Sequence, residues 1–104
     1  MAELIISPSA SGDLAEIEDY FATELFLPES GELIVDRIIE VSELTAQMPL
    51  MHQECNDFWG KPLGLRCFAV GDWVVYYRVP PDLSLVEIVR VLHKTRQVRG
   101  AMFA

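Results

Sequence analysis

The sequence predicts an α+β domain in which a helical hairpin packs on a small, mainly antiparallel sheet, in the order strand, helix, helix, strand, strand, strand. Three observations predict it. Two consecutive stretches carry apolar residues at helical spacing: Leu14, Ile17, Phe21 and Leu25 in the first, and Ile34, Ile38, Val41, Leu44 and Met48 in the second. Three strand-like runs follow, Leu65 to Val70, Trp73 to Val79 and Ser84 to Leu92. The breaks between those runs, Gly71-Asp72 and Pro80-Pro81-Asp82, are made of turn-forming residues.

Residues 3–7 read as a short first strand, which Pro8 ends. Ser9, Ser11 and Asp13 offer capping oxygens for the first helix, whose wet side takes Glu16, Glu18, Asp19 and Glu24. Pro28 and Gly31 punctuate the join, Ser30 offers a cap for the second helix, and Pro49 follows it. Residues 49–63 show no period and read as loop. Strand alternation puts Leu65, Cys67 and Ala69 on one face and Arg66, Phe68 and Val70 on the other. The small apolar set suits contact with helices, which leaves Arg66 on the open face. At least two of Trp73, Tyr76 and Tyr77 are expected in the core rather than stacked on bases. The tail from Lys94 reads as either a short helix or irregular chain.

The 104 residues make one domain, 1–104, with 51% hydrophobic and 23% charged residues, a globular composition. No apolar stretch has spanning length and the start lacks a basic segment, so a soluble cytoplasmic protein is expected. In that setting Cys55 and Cys67 are expected to be free thiols. The net charge of −8 is unevenly spread: up to Trp59 the only base is Arg37, whereas from Gly60 onward bases outnumber acids. An acidic body opposes general binding to phosphate, which disfavours direct nucleic-acid contact and favours a protein partner. His52-x-x-Cys55-x-Asp57 holds metal-ligand residue types but too few for a zinc site, so neither metal nor cofactor is expected. No glycine-rich phosphate loop is present.

Arg90 stands out, a cation inside the apolar run Val86 to Leu92. Burying an unpaired cation is costly, so Arg90 either meets a carboxylate or faces an anion-binding surface. If Arg66 and Arg90 point the same way, their Cα atoms lie about 10 Å apart, two strand spacings, close enough to share one anion. The alternative is that each pairs with its own acid, such as Glu87. His93, at the strand end, is either a proton carrier or a histidine that hydrogen-bonds backbone, and the residues alone favour the second. Arg96, Lys94 and Arg99 lie in the basic tail, where Lys94 and Arg99 read as solvated.

The order of elements, together with Ser7-Pro8-x-Ala10-x-x-Asp13-Leu14-x-x-Ile17-x-x-Tyr20, Gly64-Leu65-Arg66-x-Phe68, Tyr76-Tyr77-Arg78-Val79 and Ile88-x-Arg90-Val91-Leu92-His93-x-x-Arg96, resembles the RelE/ParE toxins of type II toxin–antitoxin systems. The ending is closer to the ParE branch, although Gln97 stands where that branch commonly has an acid, and the family is usually basic. The resemblance implies a cytoplasmic toxin of the plasmid-stabilization kind, neutralised by a cognate antitoxin. ParE-like members poison DNA gyrase and RelE-like members cut messenger RNA in the ribosome. The expected target-binding residues are Arg66, Arg90, His93 and Arg96, with no catalytic residue of the chain's own. A ribonuclease would instead use Lys61, Arg66 and Arg90 around the phosphate with His93 as proton carrier, but no tyrosine follows Tyr77 to assist. A non-toxic binding module of the same fold is the third reading.

Overall fold

The computed structural model describes residues 2–103. Its elements run β1 (Glu3–Ile6), α1 (Pro8–Thr23), α2 (Pro28–Gln47), β2 (Glu54–Asn56), β3 (Pro62–Val70), β4 (Trp73–Arg78) and β5 (Leu85–His93), with a 3₁₀ turn at Gly100–Phe103. The sheet order is β1-β5-β4-β3-β2. Only β1–β5 is parallel, as the helical hairpin between β1 and β2 carries the chain across the sheet. The α+β architecture expected from the sequence is the one observed, with one strand more: β2 lies in the stretch read as loop. Three residues are too few for a periodic signal.

Both helices start on proline. Ser7 is the cap of α1, its Oγ accepting from the Ala10 N–H at 3.0 Å while donating to the Val89 carbonyl at 2.9 Å. Pro8 therefore opens the helix rather than ending a strand, because its missing N–H falls where a helix needs none. Ser9, Ser11 and Asp13 are left free of the capping role, and so is Ser30, since α2 begins at Pro28 after Leu27.

The helices cover one face of the sheet. Ala10, Leu14 and Ile17 from α1 and Val35 and Ile38 from α2 meet Phe68, Val70, Val75, Tyr77, Val86, Ile88 and Val91. The buried face of α2 is rotated from the expected stripe. It uses Gly31, Val35, Ile38, Ser42, Thr45 and Ala46, whereas Leu44 and Met48 are exposed. Ser42 and Thr45 can be buried because their hydroxyls donate to the carbonyls of Ile38 and Val41, each at 2.7 Å. At Gly31 the helices touch: a Cβ there would lie 2.9 Å from the Cβ of Phe21.

The opposite face is covered by the C-terminal tail. Val98 and Phe103 pack on Leu65, Tyr76, Val89 and Leu92, with Cys55, Cys67 and Met102 alongside. This reverses the expected assignment of β3: Phe68 faces the helices, and Leu65 and Cys67 face the tail. Phe68 and Val70, bulkier than Cys67 and Ala69, join the core under the helices. Arg66 pairs in register with Tyr77 and so lies on the helix side, not on an open face. Tyr76 and Tyr77 are both core residues, as expected. Cys55 and Cys67, expected as free thiols, are joined in a disulfide. They sit on neighbouring strands with Cα atoms 6.1 Å apart, within bridging distance, and the Cys67 N–H continues the ladder to Gln53.

Candidate functional site

Among the described residues, no strand lies on the outer side of the C-terminal half of β5. β1 pairs with it only as far as Ile6 opposite Ile88, after which the chain turns into α1. Asp13, on the first turns of α1, takes over. Its Oδ2 accepts from the Val91 N–H at 2.8 Å, supplying the acceptor that a longer strand would have given.

The same carboxylate grips Arg90 through both oxygens. Arg90 Nε donates to Oδ2 at 2.8 Å and Nη2 to Oδ1 at 2.9 Å, while Nη1 donates to the Met102 carbonyl at 3.1 Å. Side-chain exposure is 23% for Arg90 and 9% for Asp13, so this bidentate pair is largely withdrawn from water. The hydrogen bonds that the Arg90 guanidinium donates to Asp13 push its pKa further above the usual value. Arg90 sits at a bulge: it pairs with Tyr76, yet Tyr77 pairs with Ile88, so Val89 is the extra residue. The bulge shifts the phase of the strand. Val86, Ile88 and Val91 face the helices, and Val89 and Leu92 the tail, which is why simple alternation gave β5 two mixed faces.

Beyond the pair opens a cleft of about 220 Å³, walled by Asp13, Glu16 and Tyr20 on one side and by Trp73, His93 and Arg96 on the other. His93 stands opposite Trp73 in register, the two rings edge to face at 5.0 Å. Its Nδ1 accepts from the Thr95 N–H at 3.3 Å and lies 2.8 Å from the Thr95 hydroxyl. Arg96 is exposed, its backbone N–H bonded to the His93 carbonyl, and its guanidinium has no ion pair among the described residues. The cleft thus brings together Arg90, His93 and Arg96 of the expected residues.

Arg66 and Lys61 lie elsewhere. Arg66 lines a second cleft of about 310 Å³ with Glu54, Pro81 and Leu83, donates from Nη1 to the His52 carbonyl at 2.6 Å, and has Glu54 at 3.9 Å. Lys61 is exposed in the β2–β3 turn. Arg66 and Arg90 do not share an anion: each has its own carboxylate, and their register partners, Tyr77 and Tyr76, belong to opposite faces. Glu87 pairs with neither, its partner being Arg78 across the strands at 3.0 Å. Lys94 is exposed, and at the surface it pairs with Asp72 at 2.9 Å, which lowers the Asp72 pKa through that hydrogen bond. Arg99 lies over the ring of Trp59.

Asp13, the residue that organises the cleft, stands in sequence as a capping candidate and within the Ser7–Tyr20 motif, and neither reading assigns it a site role. A usable signal was present: it adjoins Leu14 and stands four residues before Ile17, on the apolar side of a helix, where a carboxylate requires a partner. Among the described residues no cluster of histidine, cysteine and carboxylates is arranged to hold a metal ion. None of the described helices is long and apolar enough to cross a membrane.

His52 supplies a pH test. Its Nε2 lies 3.1 Å from the Thr45 hydroxyl and its ring packs on Phe68 at 4.7 Å, and burial lowers its pKa below the usual value. The unfolded chain therefore takes up the proton first as pH falls. The stability due to neutral His52 is complete above about pH 6.5 and is lost as pH drops through the lower folded value. Thermal midpoints from pH 7.5 down to 5 should fall for the wild type and less steeply for His52→Gln.

Comparison with known proteins places this geometry. The family described as the ParE toxin of type II toxin–antitoxin system, parDE, matches residues 4–98. No curated protein is a significant sequence match. Among solved structures, the chromosomal ParDE toxin–antitoxin system from P. aeruginosa aligns with a TM-score of 0.69 at 21% identity, covering 89% of this chain and 96% of that one. The toxin–antitoxin complex RelBE2 from Mycobacterium tuberculosis aligns with a TM-score of 0.61 at 19% identity, covering 88% of this chain and 96% of that one. At those identities the likeness speaks for the fold, and the family match spans β1 to the buried Val98. The chain belongs to the ParE toxin family of type II toxin–antitoxin systems.

Proposed function

We propose that this toxin acts by binding and poisoning DNA gyrase and carries out no chemical step of its own. The observation that supports the reading is the dispersal of the residues a ribonuclease would need. Cleavage requires a proton carrier and cations around one phosphate. Here Lys61 is on a turn, Arg66 is in a separate cleft, Arg90 is tied to Asp13, and His93 faces an acidic wall of Asp13 and Glu16. The net charge of −8 adds repulsion from ribosomal RNA.

Within this reading His93 and Arg96 face the target at the rim of the cleft, and Arg90 acts through the position it gives them. Arg66 contributes by fixing the chain at His52. A cognate antitoxin is the second partner. The acidic outer faces of α1 and α2 suit basic residues, and the exposed Leu44, Met48, Leu50 and Met51 offer apolar anchors beside them. A cytoplasmic location follows from a gyrase target.

Tightly controlled expression tests the reading by two readouts from one culture. Gyrase-trapped breaks in chromosomal DNA are expected, with transcripts intact. Rapid, translation-dependent transcript cleavage without DNA breaks would transfer the chain to the nuclease reading, and normal growth with neither effect to the non-toxic module.

A further inference from the structure

The turn between β2 and β3 is firmly built yet displays two large apolar rings to solvent. Phe58 is 56% and Trp59 61% exposed. Neither joins either core. Their rings meet edge to face at 5.7 Å, and the guanidinium of Arg99 lies over Trp59, 5.3 Å from the ring centre.

The backbone beneath them is held at several points. Asp57 Oδ1 accepts from the N–H groups of Trp59 and Lys61, each at 2.8 Å. The Asp57 N–H donates to the Lys61 carbonyl at 2.7 Å and that of Gly60 to the Asp57 carbonyl at 3.0 Å, with Gly60 at φ 82°. Phe58 N–H reaches the carbonyl of Val98 at 2.7 Å, fastening the turn to the tail. The Cys55–Cys67 bridge clasps the strand just before it. A fixed backbone means that little conformational entropy is left to lose when the rings are covered.

The charge around the rings is also distinctive. Lys61 and Arg99 make no ion pair among the described residues, in a chain whose net charge is −8. A tryptophan and an arginine on a rigid support, flanked by a second aromatic, have the composition of a binding hot spot. The tail from Lys94 to Arg99 joins this turn to the rim of the cleft at His93 and Arg96, making the two features continuous along the chain.

We propose that the 57–61 turn is the surface that anchors the protein target, its two rings entering an apolar pocket whose rim carries carboxylates for Lys61 and Arg99. The inference rests on the gyrase reading and supplies the contact for it. Bases of a single strand could also stack on such rings. The acidic body favours the protein, because two local cations do not offset its repulsion of a polyphosphate chain.

The test titrates purified gyrase holoenzyme against immobilised wild-type protein and against Trp59→Ala, Phe58→Ala and Arg99→Glu. Trp59→Ala is expected to weaken binding on the order of thirty-fold or more, and Arg99→Glu about ten-fold with a reduced dependence on salt. Thermal midpoints of the ring variants should stay at the wild-type value, since both rings are solvent-exposed. Equal binding by wild type and Trp59→Ala would overturn the inference and leave the gyrase reading standing. Wild type that binds no gyrase would overturn both. Wild type that captures a short single-stranded oligonucleotide, with the capture lost in Trp59→Ala, would give the turn to nucleic acid. Gyrase binding intact in Trp59→Ala, with neutralisation by the cognate antitoxin lost, would give it to the antitoxin.

Discussion

Asp13→Ala is expected to lower the unfolding free energy by about 3 kcal/mol, the lower end of the range for removing one partner of a buried ion pair. The lower end applies because Arg90 keeps 23% of its side chain in water and can rehydrate in part. Three hydrogen bonds go at once, two from Arg90 and one from the Val91 N–H. The backbone loss matters most, since an N–H left unpaired at the sheet edge has no strand to turn to. The tail should loosen as well, because Arg90 also holds the Met102 carbonyl. Urea unfolding measures the effect, and a loss below about 1 kcal/mol would show that the pair is merely a surface contact. The double variant Asp13→Leu with Arg90→Met should recover only the smaller part of the loss, that due to the stranded guanidinium, as apolar replacement of a whole buried pair often does. The Val91 N–H would remain unpaired in it, so recovery stops short of wild type.

Reducing the Cys55–Cys67 bridge is expected to cost about 2–4 kcal/mol, the range for closing a short loop, given a sequence separation of 12. The bridge joins the three-residue edge strand β2 to β3, and among the described residues no strand lies on the other side of β2. Besides the bridge, β2 is held by three ladder pairs to β3, so residues 54–56 are expected to be the first part of the sheet to open on reduction. Amide exchange in reductant should rise at Cys55 and Asn56 first, with β4 and β5 protected. The urea midpoint should shift with reductant in the wild type and not in the Cys55→Ser/Cys67→Ser double variant. An unchanged wild-type midpoint would show that the bridge contributes nothing to the fold.

The helices, the meander and the family were legible because their signals are local. Spacing over sixteen or twenty residues survives small errors of phase, and Gly71 marks its hairpin wherever the rest of the chain lies. What was not legible depended on partners far along the chain. Asp13 and Arg90 each look anomalous alone, and only the fold brings them together across a separation of 77 residues. The face assignment of β3 failed because size, not smallness, decides which set meets the helices. In β5 one extra residue at Val89 defeated strict alternation. The cysteine reading relied on a rule about compartments, whereas the bridge depends on strand register. For α2, hydrophobicity pointed to Leu44 and Met48, yet Ser42 and Thr45 take the buried places by bonding to their own helix.

Incubating purified protein with gyrase, supercoiled plasmid and ATP, then stopping with detergent and protease, tests the target most directly. Linear plasmid that increases with toxin concentration and is absent without gyrase is the predicted result. Plasmid that stays intact while gyrase supercoils normally, even with protein in large excess, would contradict it.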